Sequence, residues 1–219
     1  MHLEDKLAKD VTARESEGEK LLLLGDSIML GYAPFLKRAL GDALPVVYPE
    51  ENCRNTAYLL TEINRIVASV GSDATLVQLN CGHWDAAHFG GDRLPLTDIR
   101  EYERNLVLLL HRLYRLLPSA RFILATTTPM HPGGVTGANP RTTEEIEGYN
   151  RVVRLVAKRE GIATVDIFNE VSRYPASFFA DYCHLTQEGY SYLAEGVVCS
   201  KRLLNQVVGK SLRTHNLKS

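Results

Sequence analysis

Five short apolar runs, each followed by a stretch long enough for a helix, set the limits on how this chain can fold. The runs are Leu21–Gly25, Val46–Tyr48, Ala74–Asn80, Arg121–Thr126 and Ala163–Asp166. Runs of that length read as strands, and strands separated by helix-length segments need crossover connections. The predicted result is a parallel sheet with helices on both faces, an α/β class chain. The helices are predicted over Met29–Leu40, Asn55–Val70, Asp98–Leu117, Thr143–Glu160 and Gln187–Val208. Within the third, Leu106, Leu109, Leu110, Leu113 and Leu117 recur at the spacing of one helix face. Asn55 or Thr56 is placed to cap the second, and Thr142 and Glu145 form a Thr-x-x-Glu capping box for the fourth. With 219 residues, the chain has room for one such core but is short for two. A single domain is expected over 20–209, between a polar tail at 1–19 and a basic tail at 210–219.

Ligands of an open parallel sheet bind beyond the carboxyl ends of its strands. The polar clusters that need explaining all fall on that rim: Gly25-Asp26-Ser27, EENCRN, NCGHWD, TTTPM and DYCHL. A serine at a strand-to-helix junction puts its hydroxyl at the rim and its N–H at a helix N-terminus, where developing negative charge is stabilised. Gly25 is read as the residue that lets the chain turn. Taken alone, Ser27 fits better as the cap of a helix starting at Ile28. Asp181 and His184 alter that balance. Three residues apart, the carboxylate can reach one ring nitrogen and leave the other to face Ser27, which is what a hydroxyl nucleophile needs.

With Ser27 after the first strand and Asp181-x-x-His184 before the last helix, the chain resembles the SGNH, or GDSL, hydrolases. In its third block it is similar to a branch carrying Asn-x-Gly-x-x-Asp. The resemblance implies a three-layer, flavodoxin-like α/β/α domain and a serine esterase or acylhydrolase. It makes Ser27 the nucleophile, His184 the base and Asp181 the orienting acid, and it implies neither metal nor organic cofactor. The family's oxyanion hole uses the serine N–H, a glycine N–H after the second strand and an asparagine side chain after the third. Here ENCRNTAYLL has no glycine, so the N–H of Cys53 or Arg54 must serve beside that of Ser27. Trp84 falls where the asparagine would stand, which makes Asn80 the substitute donor. Asp26, Gly82, Trp84 and Arg141 are assigned to the substrate.

Other functions fit less well. A net charge of −1 with mixed signs argues against a nucleic-acid partner. No apolar run approaches the ~20 residues of a membrane span. The first twenty residues lack the apolar core of a secretory signal, which predicts a cytoplasmic protein with Cys53, Cys81, Cys183 and Cys199 as free thiols. Cys81, His83, Asp85 and His88 match no strong metal-ligand spacing; Trp84 and Phe89 are expected to line the pocket instead. The Gly- and Pro-rich segment Pro129–Pro140 is long enough to suggest a function. The substrate is read as a small-molecule or carbohydrate ester with a short acyl group such as O-acetyl. A longer-chain acylhydrolase, a non-catalytic binding protein on the same fold and a homo-oligomer are left open.

Overall fold

The computed structural model describes residues 18–195. Its five strands are β1 (Leu21–Gly25), β2 (Val46–Val47), β3 (Leu76–Asn80), β4 (Arg121–Ala125) and β5 (Ala163–Val165). They form one parallel sheet in the order β2-β1-β3-β4-β5, the flavodoxin-like arrangement. The register runs Leu21 to Val46, Leu21 to Leu76, Leu76 to Arg121 and Ile123 to Ala163. The chain order reverses at β1, so the ends of β1 and β3 flank the crevice at the switch point.

Helices α1 (Ser27–Leu40), α2 (Thr56–Ile66), α3 (Ile99–Leu116), α4 (Thr143–Glu160), α5 (Ile167–Val171) and α6 (Gln187–Leu193) cover the sheet. Both faces of the sheet are buried, which explains why β1 needs a leucine at every position from Leu21 to Leu24 instead of alternating with polar residues. Leu21 and Leu23 point into one core with Ile28, Leu36 and Leu193; Leu22 and Leu24 point into the other with Leu59, Leu109 and Val153.

The boundaries differ from the sequence reading at several points. α1 begins at Ser27 instead of Met29, because Asp26 caps it. β2 has only two residues, and β3 starts at Leu76 instead of Ala74. The second helix gives way to a wider π turn over Val67–Gly71. The short α5 is absent from the sequence reading, although Asp166 at its N-cap, accepting from the Asn169 N–H, is the usual kind of start signal. The capping box of α4 forms as read, with Glu145 N–H to Thr142 Oγ1 at 3.1 Å and Thr142 N–H to Glu145 Oε2 at 2.7 Å. The helix read as far as Val208 is seen from Gln187 to Leu193; its remainder, Cys199 and most of both tails lie outside the described residues.

Gly25 has a different role from the one expected. Its φ is not positive; the constraint is space. A Cβ there would lie 2.2 Å from the Asn80 carbonyl oxygen and 2.6 Å from Met29 Cβ. Gly25 lets α1 leave the sheet pressed against the end of β3.

Candidate active site

Asp26 and Ser27 divide two tasks that the sequence could not separate. Asp26, wholly buried, accepts the Ile28 N–H at 3.0 Å and caps α1. Ser27 is thereby free of the capping role, and its Oγ lies 2.8 Å from His184 Nε2. Its own N–H stands in the first turn of α1, where a helix supplies no internal acceptor.

His184 is held by a tightly tied turn. Ala180 N–H donates to the His184 carbonyl at 2.8 Å, and Phe179 pairs with Leu185 across the turn. Asp181 Oδ1 accepts the N–H groups of Cys183 and His184 at 2.9 and 2.8 Å. Its Oδ2 lies 2.8 Å from His184 Nδ1. One carboxylate oxygen therefore fixes the backbone and the other fixes the ring. Partial burial works to raise the Asp181 pKa, but the two N–H donors and the imidazole outweigh it and hold the carboxyl below its usual range. A charged acceptor at Oδ2 keeps the proton on Nδ1, so the lone pair of Nε2 faces the Ser27 hydroxyl. Hydroxyl, imidazole and carboxylate in series can move a proton off Ser27 and stabilise the imidazolium that results.

The three donors expected beside Ser27 are engaged elsewhere. Cys53 is buried and its N–H donates to the Gly25 carbonyl at 3.1 Å, tying the loop to β1, which removes it from the hole. Asn80 is buried too, and its Nδ2 donates to the Thr126 carbonyl at 3.1 Å, beyond the end of β4. The Arg54 N–H donates to Asn52 Oδ1 at 2.7 Å. That bond is exposed, and the acceptor is a side chain that can rotate away, so Arg54 alone of the three can release its donor. With φ at 53°, Arg54 is the one non-glycine residue with positive φ among the described residues. It adopts the backbone conformation that favours glycine, in the loop where the resemblance calls for one. Its guanidinium, 4.7 Å from the Tyr58 ring centre, stacks over that ring.

Two of the four residues assigned to substrate are inaccessible. Asp26 has no exposed surface, and burial pushes its pKa up to about 6 despite the Ile28 N–H and the nearby Arg141 charge. Gly82 is buried at a bend with φ 147°, its Cα facing the Thr127 methyl group. Trp84 is half-buried and packs on Phe89 with ring centres 5.6 Å apart. Arg141 is half-buried beside the Asp181–His184 turn, its Nη2 lying 3.4 Å from Cys183 Sγ.

Cys81, His83, Asp85 and His88 do not converge. Asp85 accepts the Thr56 N–H and hydroxyl at 3.1 and 2.6 Å. His88 pairs with Glu145 at 2.9 Å. His83 is buried between Thr128 Oγ1 at 2.9 Å and the Nε of Arg141 at 3.1 Å, an arrangement nothing in the sequence pattern announced. Burial also raises the thiols of Cys53 to about 11 and Cys183 to about 12, so they are protonated packing groups.

The model of the GDSL-like Lipase/Acylhydrolase family matches residues 23–192. Among solved structures, the acetyl xylan esterase AlAXEase superposes with a TM-score of 0.66 at 17% identity, covering 80% of this chain and 96% of that one. The lipase/acylhydrolase from Enterococcus faecalis gives 0.65 at 22%, covering 81% and 92%. Est24, a carbohydrate acetylesterase from Sinorhizobium meliloti, gives 0.63 at 12%, covering 83% and 96%. No curated protein matches the chain in sequence.

Proposed function

This chain belongs to the GDSL-like lipase/acylhydrolase family, and we propose that it is a serine esterase that removes short acyl groups, such as O-acetyl from a carbohydrate. The observation that carries the reading is the unbroken series from Ser27 Oγ through His184 to Asp181, each link 2.8 Å long.

In this reading His184 takes the Ser27 proton as Oγ attacks the ester carbonyl. The tetrahedral oxyanion is met by the Ser27 N–H at the start of α1 and by the Arg54 N–H once Asn52 Oδ1 gives way. His184 then hands its proton to the departing alcohol. Water, deprotonated by the same nitrogen, clears the acyl-enzyme. Two structural neighbours are named as acetylesterases of xylan or carbohydrate, which supports the choice of a small acyl group. Among the described residues no helix is long and apolar enough to cross a membrane.

A fluorophosphonate probe tests the nucleophile. Wild-type protein should be labelled and Ser27→Ala should not, with p-nitrophenyl acetate turnover falling by about 10³-fold or more. Turnover at the wild-type rate in Ser27→Ala would refute the assignment. A p-nitrophenyl ester series should peak at two to four carbons, and a peak at octanoate or longer would make this a long-chain acylhydrolase.

A further inference from the structure

We propose that Arg141 is a specificity-determining residue: an anion-binding pole beside the base that selects esters carrying a carboxylate or phosphate. The proposal deepens the esterase reading and rests on it.

A guanidinium has five N–H donors in a fixed fork. Arg141 spends Nε on His83 Nδ1 at 3.1 Å, one Nη1 hydrogen on the Asn139 carbonyl at 2.9 Å and one Nη2 hydrogen on Cys183 Sγ at 3.4 Å. The Tyr182 ring lies 5.4 Å from its central carbon. All of these partners are neutral. Among the described residues no carboxylate lies within ion-pair distance of Arg141, whereas the half-buried Arg121 and Arg154 each have one. The acid whose titration it influences, Asp26, is sealed inside and pushed up to about 6. Half-buried and with no carboxylate in direct contact, Arg141 does not spend all five of its N–H groups on the partners named above.

The surroundings hold the group in place. His83 is buried and accepts at Nδ1, so its Nε2–H donates to Thr128 Oγ1 and the ring is neutral; burial and the Arg141 charge both keep it so. A neutral histidine that can only accept at Nδ1 aims the guanidinium without cancelling it. The Pro129–Pro140 segment supplies the rest. His131 N–H donates to the Tyr182 carbonyl at 2.8 Å, Gly137 packs so closely on the Tyr182 ring that a Cβ would sit 2.2 Å from it, and Asn139 meets Nη1. The loop delivers the cation to the DYCHL turn.

The position puts the cation beside the base. Cys183 Sγ is 3.4 Å from Arg141 Nη2 and 3.7 Å from His184 Nδ1, so one sulfur atom separates the cation from the Asp181-facing side of the imidazole. Left unneutralised, the cation would oppose the imidazolium formed during turnover; an anion on the substrate removes that opposition.

The test uses full-length wild-type, Arg141→Gln and Arg141→Lys proteins, each checked for folding by circular dichroism. The substrates are 3-acetoxybenzoate, 3-acetoxyphenyl phosphate and the neutral methyl 3-acetoxybenzoate. Wild type should prefer at least one anion over the neutral ester in kcat/KM. Arg141→Gln should cut that preference by roughly 10- to 100-fold, mainly through KM, with partial recovery in Arg141→Lys. The two anionic arms tell carboxylate from phosphate, and a preference for either supports the proposal. No wild-type preference, or an equal fall for neutral and anionic esters in Arg141→Gln, overturns it. Wild type that fails to turn over the neutral ester and to take the fluorophosphonate label at Ser27 would mean that the esterase reading itself has failed.

Discussion

Replacing Asp26 by asparagine separates the charge of this buried carboxyl from its capping bond. Burial pushes Asp26 from 3.8 to about 6, offset only in part by the Ile28 N–H and the Arg141 charge. The folded chain therefore holds this proton more tightly than the unfolded chain does. Stability from this group is complete below 3.8 and is lost as pH rises through about 6. A displacement of roughly two units corresponds to about 3 kcal/mol at ~1.36 kcal/mol per unit. The side-chain amide in Asp26→Asn would keep an oxygen for the Ile28 N–H and carry no titrating proton. Urea unfolding of wild type and Asp26→Asn should be followed from pH 4 to pH 8. The variant's stability relative to wild type should climb by roughly 2–2.5 kcal/mol between pH 4 and pH 7 and stay level above. Asp85, also raised to about 6 by burial, and Asp166 and Asp181, held low, titrate in both proteins and largely cancel in the difference. A constant offset from the new amide N–H groups leaves the slope untouched. A difference that stays flat across the interval refutes the argument that Asp26 is buried with its charge uncompensated.

Two further substitutions probe the same rim. Gly25→Ala forces a methyl group against the Asn80 carbonyl and Met29 Cβ, so the urea midpoint should fall by the equivalent of at least about 1–3 kcal/mol; a neutral result would mean that β1 and β3 have room to part. In Asp181→Asn the amide can present N–H to Nδ1 and leave the ring proton on Nε2, facing Ser27. That form cannot accept the hydroxyl proton, and kcat should fall by about 10²- to 10⁴-fold with little change in KM. A loss below tenfold would show that the carboxylate does not set the tautomer.

The parts of this structure that were legible in the sequence depend on local pattern. Leu21–Leu24 announces a strand buried on both faces, and Thr142 with Glu145 marks the start of α4 to the residue. Asp181 and His184 meet because three residues of one turn separate them. What was not legible depends on which partner reaches a group first in three dimensions. Nothing in ENCRN says that the Cys53 N–H will be taken by Gly25, a strand away, or that Arg54 will adopt a glycine-like φ. The amide of Asn80 looked free because Thr126, which accepts from it, is 46 positions distant. Gly25 suggested a turn, since a one-dimensional reading cannot see a neighbouring carbonyl where its Cβ would be. His83 matched no ligand pattern, and its role is visible only where Thr128 and Arg141 close on either side of it.

The hydrogen bond between Ser27 and His184 joins positions 157 apart in the chain, whereas Asp181 and His184 share a single turn. During synthesis the serine is made long before its base. A chain that ends after β5 carries the serine but neither His184 nor Asp181, and so has nothing to take its proton. Labelling of Ser27 on nascent chains of increasing length would then mark the moment at which the last turn docks, making this residue a timer for completion of the fold.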